Sequence, residues 1–293
     1  MGNELARSAR AIRIAIIVPA GPRENVLDTL ASVVHYTDPS RVIVVIDDDP
    51  ALVTVSHRIQ NLSEHIVIRS APEGAPGGYG GLFVKVASGY KWVLENYEPQ
   101  IILRLDTDAL LIGYGIESFA ERIFAEDPQA GMLGSYKIGP DGRWRDFSWA
   151  ARKLRAEAGI RGLIYPRRHA HLRRYLALAR EHGYIDGENA LGGAYIHSYN
   201  AANRMYLNGS FNQPWLAASE LGEDHIMALL TRAAGYKICD FGGPDDPMAL
   251  RWQGLPAAPA DLLAKGKLVI HSVRHWGDLA EDEIRRIFEQ ARA

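Results

Sequence analysis

Three clusters of acids and one histidine carry the chemistry that this chain can be read for. Asp47-Asp48-Asp49 follows the apolar run RVIVVI, Asp106 and Asp108 flank Thr107 after IILRL, and Glu223-Asp224 opens a stretch of helical pattern. His271 closes the short run KLVI. Carboxylate oxygens suit a hard divalent cation such as Mg2+ or Mn2+, which commonly shares its coordination with substrate phosphates. Two aspartates one residue apart can both reach one cation if the chain turns there. A neutral imidazole can add a nitrogen ligand, which makes His271 the third candidate. Acids in the first turn of a helix are favoured by its dipole, with or without catalysis. Any one of these clusters is therefore as readily a solvated turn or a cap as a site, and their order along the chain is what sets them apart.

That order is one of alternating strands and helices, the mark of a parallel sheet with crossover helices. Ile12 to Val18 reads as a buried strand, Pro19-Ala20-Gly21-Pro22 as a turn, and Glu24 to Tyr36 as a helix. Arg41 to Ile46 is a second strand and His65 to Arg69 a third. A glycine-rich loop from Glu73 to Gly81 leads into a helix over 82–96. Ile101 to Leu105 is the strand that presents Asp106 and Asp108. Later come the ALGGAY segment with Gly192-Gly193, a helix opening at Glu223-Asp224, a strand from Tyr236 to Phe241, a loop-rich stretch over 244–259, a last strand over 268–271 and an amphipathic helix over 279–293. In open α/β sheets the ligand sits at the carboxyl ends of the strands, where strand order reverses, and that is where the acids fall.

The bulk numbers narrow the class. The chain has 293 residues, 47% of them hydrophobic and 23% charged, with net charge -2. That is the balance of a globular protein, and the overall field does not favour nucleic acid. A single cysteine, Cys239, leaves no disulfide within the chain and fits a reducing compartment. No apolar run approaches the roughly 20 residues of a membrane span, so a cytoplasmic location is expected. The segment 150–186 stands apart, with nine Lys/Arg against three Asp/Glu. It reads as a basic helical insert. It is either a solvated helical face or a surface for an anionic acceptor or lipid headgroup, the latter giving peripheral contact with a membrane.

Taken in order, these segments resemble the GT-A glycosyltransferases, most closely the family 2 type, from about Ile14 to His271 with the insert as an interruption. IIVPAGPRENVLDTLASVVHY resembles the opening strand, turn and helix, which implies a nucleotide pocket lined by Pro19, Ala20 and Gly21. VIVVIDDDP resembles the strand ending in paired acids, which implies that Asp47 or Asp48 binds the base or ribose. The family's usual Gly-Ser after these acids is here Asp49-Pro50. GGYGGLFVKVASGYKWVL places Lys85 where it can reach phosphate. LRLDTDALL resembles the metal-binding segment, which implies Asp106 and Asp108 as ligands of Mn2+ or Mg2+, with His271 as a further one. LGGAYIHS resembles the segment facing sugar and acceptor, which puts Gly192 and Gly193 against the donor. GEDHIMALLTRAAGYKI implies Asp224 as general base, assisted by Glu223. Trp215, Trp252 and Trp276 have rings that can stack on a sugar, although large aromatics more often serve in a core or rim.

The resemblance implies one GT-A-like, Rossmann-type domain over 1–293, with a mostly parallel sheet flanked by helices. Its donor half covers 12–136 and its acceptor and catalytic half 187–275. It implies an inverting, hexosyltransferase-type enzyme that moves a sugar from a UDP- or GDP-sugar to an acceptor hydroxyl. A retaining enzyme of the same fold shares the metal site. A binding protein for nucleotide-sugars or glycans on the same scaffold is the rival of another class. Against a nucleotidyltransferase, the turn at Pro19 to Arg23 lacks the glycine-rich, basic pyrophosphate loop, and against a dehydrogenase, no G-x-G-x-x-G follows the first strand.

Overall fold

The computed structural model describes residues 9–21, 25–47, 56–73 and 79–292. The chain opens with β1 (Arg10–Ala20), α1 (Val26–Tyr36), β2 (Arg41–Asp47), α2 (Ser56–Gln60), β3 (Ile66–Ser70), α3 (Tyr79–Asn96) and β4 (Tyr97–Leu105). There follow β5 (Ala109–Leu111), α4 (Ile116–Glu126), β6 (Ala130–Gly134), α5 (Ser148–Ala158), a 3-10 turn (Ile160–Ile164) and α6 (Pro166–Glu181). Next come β7 (Ala194–Ser198), α7 (Tyr199–Leu207), a second 3-10 turn (Pro214–Ala218), α8 (Glu223–Ala233), β8 (Lys237–Asp240), β9 (Met248–Leu250) and α9 (Pro259–Ala264). The chain ends with β10 (Val269–His271), β11 (His275–Trp276), β12 (Leu279–Ala280) and α10 (Glu281–Arg292).

Among the described residues the main sheet has seven strands in the order β3-β2-β1-β4-β7-β6-β8. β1, β2, β3 and β4 run parallel, and β7 runs antiparallel to both β4 and β6. The fold is thus the expected mostly parallel sheet flanked by helices. The period of two along each strand sends alternate residues to opposite layers. Ile14, Ile16 and Val18 join one core with Ile101, Leu103 and Leu105, while Ala15, Ile17 and Ile102 join the other. α1 covers the first layer with Val26, Leu30 and Val33, a helical spacing of four and three. α3, α6, α7 and α8 cover the second.

Chain order reverses beside β1. β2 lies on one side of it and β4 on the other, so the carboxyl ends of β1 and β4 flank a switch point. β7 enters the same edge from the opposite direction, with Ala194 paired to Leu105. Gly192-Gly193 therefore arrives next to the segment that carries Asp106 and Asp108.

Three local differences from the sequence reading have physical causes. α3 starts at Tyr79, inside the stretch read as loop. A Cβ on Gly80 would sit 2.3 Å from the Ala217 carbonyl oxygen, so this glycine serves the close crossing of a 3-10 turn over the helix. β9 lies within the segment read as loop, and three residues leave no periodicity to detect. β10 joins β5 and β9 in a small second sheet instead of the main one.

The basic segment adds no strand to the sheet, yet α6 is not a free appendage. Leu172, Tyr175, Leu176 and Ala179 are buried in the same core as α3 and α8. Among the described residues, no helix is long and apolar enough to cross a membrane.

Candidate active site

The turn after β4 is anchored through its backbone. The Asp106 N–H donates to the Gly193 carbonyl at 2.8 Å, and the Ala109 N–H donates to the Asp106 carbonyl at 3.1 Å. The Thr107 carbonyl accepts from Thr29 Oγ1 at 2.7 Å and Arg285 Nη2 at 2.8 Å, which ties the turn to α1 and α10. The Val273 N–H donates to the Asp108 carbonyl at 2.9 Å.

His271 meets both aspartates. Its Nε2 lies 3.2 Å from Asp108 Oδ1 and 3.8 Å from Asp106 Oδ2. One ligand atom from each of Asp106, Asp108 and His271 can be chosen so that all lie within 4.8 Å of one another. The chemistry of this donor set fits a cation. His271 Nδ1 is 2.8 Å from the Arg251 carbonyl, which can only accept, so the ring proton belongs on Nδ1. The lone pair of Nε2 then faces carboxylate oxygens, an arrangement that calls for a proton or a metal ion between them. A second partner fixing the ring of a metal-ligating histidine is a common device. Asp108 also accepts from Ser272 Oγ at 3.0 Å and Arg274 Nε at 2.7 Å. Burial alone would raise its carboxyl, but His271 when protonated on Nε2, Arg274 and Ser272 hold it well below the usual carboxylate range.

Gly193 has a specific part in this. It sits at φ +100°, and a Cβ there would lie 2.4 Å from Cγ of His271. Its bareness makes room for the imidazole, and its left-handed backbone is one that glycine adopts at no steric cost.

A second group of side chains joins the turn to α8. Arg104 Nη2 lies 2.8 Å from Asp106 Oδ1 and 3.3 Å from Glu223 Oε2, with the arginine side chain 1% exposed. The Tyr195 hydroxyl donates to Glu223 Oε1. Arg104 Nε and Nη1 have no hydrogen-bond partner among the described residues. Burial pushes the Glu223 carboxyl up to about 7, with Arg104 opposing the rise and Asp224 adding to it.

Asp224 is treated differently by its surroundings. Its Oδ2 accepts from Asn189 Nδ2 at 2.5 Å and the Gly192 N–H at 2.9 Å. Its Oδ1 accepts from the His225 N–H at 3.0 Å and faces His225 Nδ1 at 3.0 Å. Arg145 stands behind, with Nη2 3.1 Å from Asn189 Oδ1 and Nη1 bonded to three backbone carbonyls. Burial would raise the Asp224 carboxyl, yet the charge and hydrogen bond of His225, the Gly192 N–H and Arg145 hold it well below the ordinary range. Two adjacent acids are thus pushed apart, the pattern that divides acid and base roles in many enzymes.

All of this opens into one cleft of about 620 Å³. Its walls bring together Asp106, Asp108, Gly192, Glu223, Asp224 and His271 of the residues singled out from sequence. Gly193 packs behind His271. Pro19 and Ala20 close β1 beside Asp47 on β2, at the same sheet edge but outside the described cleft lining, as is Gly21. Lys85 is on α3, where burial lowers its ammonium and Asp47 pulls the other way. Asp48 lies outside the described residues, as does the loop at 74–78.

No family model matches the chain, and no curated protein matches it. Its structure is similar to that of the bifunctional glycosyltransferase WbbM in its apo form, with TM-score 0.48 and 11% identity over 96% of this chain. It is also similar to galactosyltransferase LgtC in complex with donor and acceptor sugar analogues, with TM-score 0.48 and 12% identity over 95% of this chain. A third likeness is to TarS of S. aureus, with TM-score 0.43 and 13% identity over 96% of this chain. The chain spans half the length of WbbM, 95% of LgtC and 43% of TarS. These are distant likenesses, and the function of this chain rests on its own site.

Sequence reading missed Arg104, Arg145, Trp149, Asn189 and Arg274, which line the cleft. Arg104 left a signal: a cation inside IILRL, on the strand face of Ile102 and Asp106, has to be buried and paired. Arg145 and Asn189 left none, because their neighbours come from distant parts of the chain. Trp252 lines the cleft, whereas Trp215 lies under Arg167 and Trp276 packs against the small sheet's core.

Proposed function

We propose that this protein is a glycosyltransferase that moves a sugar from a nucleotide-diphosphate sugar, of the UDP or GDP type, to an acceptor hydroxyl with inversion at the anomeric carbon. The observation that carries the reading is the closeness of Asp106, Asp108 and His271 in the same cleft as Asp224. Two carboxylates and an imidazole would hold Mg2+ or Mn2+, and a cation bound there would neutralise charge on a departing diphosphate.

The chain's own side chains do the rest. Asp224 takes the proton of the acceptor hydroxyl as that oxygen bonds to the anomeric carbon. The bond from this carbon to the diphosphate breaks, and its electron pair leaves with the nucleotide. The hydroxyl proton becomes acidic only as the new bond forms, so a carboxylate held well below its usual range still accepts it. Exposure supports Asp224 over its neighbour as the base, since the Asp224 side chain is 14% exposed and that of Glu223 1%. Glu223 instead holds Arg104, which in turn holds Asp106. Trp149 and Trp252 supply apolar walls for sugar rings.

A thermal-shift screen of UDP-, GDP- and dTDP-sugars with and without Mn2+ tests the reading. A ligand held by the folded state at 100 times its Kd stabilises by about 2.7 kcal/mol. The expected result is a raised midpoint with one nucleotide class, larger with Mn2+. No shift with any donor under either condition would rule the reading out.

A further inference from the structure

The hairpin of α5 and α6 carries an apolar tip that the cleft does not use. Ile160 is 87% exposed, Leu163 57%, Ile164 78% and Tyr165 53%. Single exposed apolar residues are ordinary, but four within six consecutive residues form a patch. The tip is built, not frayed. Gly162 is buried in the turn, so close to the Glu157 carbonyl that a Cβ there would lie 1.8 Å from its oxygen. The Gly162 N–H donates to the Gly159 carbonyl and the Tyr165 N–H to the Gly162 carbonyl, each at 2.9 Å. The backbone folds inward at Gly162 while its apolar neighbours are left in water.

Among the described residues some cations of the hairpin are paired with carboxylates, and others, Arg152 and Arg174 among them, are exposed without one. Arg155 and Arg180 pair with Asp186, Arg168 with Glu157, and Lys153 with Glu220. Arg161, Arg167 and Arg173 are exposed and have no carboxylate partner among the described residues. Arg167 lies over the Trp215 ring at 4.6 Å, a contact that brings no opposite formal charge to it. The 16-residue helix α6 also begins at the tip, with no side-chain cap on its N-terminus. Its free N–H groups and its dipole favour phosphate.

We propose that this tip seats the protein on an anionic bilayer. The four apolar side chains enter the headgroup–acyl boundary, and Arg161, Arg167 and Arg173 meet lipid phosphates. A bilayer uses both features at once, as interfacial segments do. A nucleic acid would use the arginines and leave Ile160 and Ile164 in water. α6 packs on the turn Pro214–Ala218, which runs toward Glu223 and Asp224, so the docked face is joined to the cleft through this turn.

Co-sedimentation of the full chain with vesicles tests this without any donor or acceptor. Vesicles of phosphatidylcholine alone are compared with vesicles holding phosphatidylglycerol as well. The expected result is at least roughly tenfold tighter binding to the anionic vesicles, weakened by salt. The variant Ile160→Ser/Ile164→Ser should lose at least tenfold, and Arg161→Gln/Arg167→Gln should lose the preference for anionic lipid. Both pairs are exposed, so an unchanged thermal midpoint serves as the folding control. Failure of the parent chain to bind either vesicle would overturn the proposal, as would a serine variant that binds like the parent. A dimer in sedimentation velocity that the serine variant dissolves, without vesicle binding, would assign the tip to a second copy and also overturn it.

Discussion

Arg104 Nη2 lies 3.3 Å from Glu223 Oε2, and both side chains are shut off from solvent. The same nitrogen reaches Asp106, so one buried guanidinium connects the end of β4 to the start of α8. Removing one partner of a buried pair leaves a charge without compensation, at a cost of about 3–5 kcal/mol. Arg104→Met is therefore expected to lower stability by that order in urea unfolding at pH 8. Arg104→Met/Glu223→Gln should recover part of it. A single variant as stable as the parent would show that the contact has no structural weight.

Glu223 also makes a pH dependence. Its folded carboxyl sits near 7 against an ordinary value of 4.5, chiefly because it is buried. Between those values the folded state binds more protons than the unfolded state, so this group's contribution to stability falls as pH rises. The penalty is absent below about 4.5 and complete above about 7, and a shift of this size corresponds to about 3 kcal/mol. Glu223→Gln holds the neutral shape at every pH. Its stability relative to the parent should rise between pH 5 and pH 8, which urea unfolding at both values can check. A constant difference would mean that Glu223 ionises at its ordinary value.

Asp224→Asn keeps the size of the side chain and removes the base. General-base help contributes about 10²–10⁴-fold, so turnover should fall by that factor while the donor-induced thermal shift remains. Transfer at the parent rate would move the base elsewhere.

Gly193→Ala tests the support of His271 from behind. The new Cβ would meet the ring at 2.4 Å, and the backbone there is left-handed. Strain of this kind costs on the order of 1–3 kcal/mol. The variant should unfold at a lower temperature and bind Mn2+ roughly 10–100-fold more weakly in calorimetry, the scale on which a ligand's supporting partners count. Unchanged Mn2+ affinity would show that His271 does not depend on this glycine.

What the sequence made legible follows from range. The strands of the parallel half and the helices over them come from local periodicity, and the acids after IILRL and at the head of α8 are marked by position. β9 and β5 are too short to leave a pattern, and their pairing with β10 joins residues far apart in sequence. In the sequence, Gly192 and Gly193 imply room for ligand. The structure gives Gly192 to Asp224 and Gly193 to His271, contacts that no local pattern carries. The charged side chains beside the two acids, Arg104 against Glu223 and Arg145 behind Asp224, belong to the same class of long-range partner.

On the proposed reading, a cation held by Asp106, Asp108 and His271 works in one cleft with Asp224 as base. This is tested most directly by following nucleotide release from UDP- and GDP-sugars with Mn2+ or Mg2+, with EDTA, and with Asp108→Asn. Release should need the metal, stop with EDTA and fall at least roughly 100-fold in the variant, with product of inverted configuration by NMR. Release that is indifferent to EDTA and to Asp108→Asn would contradict it.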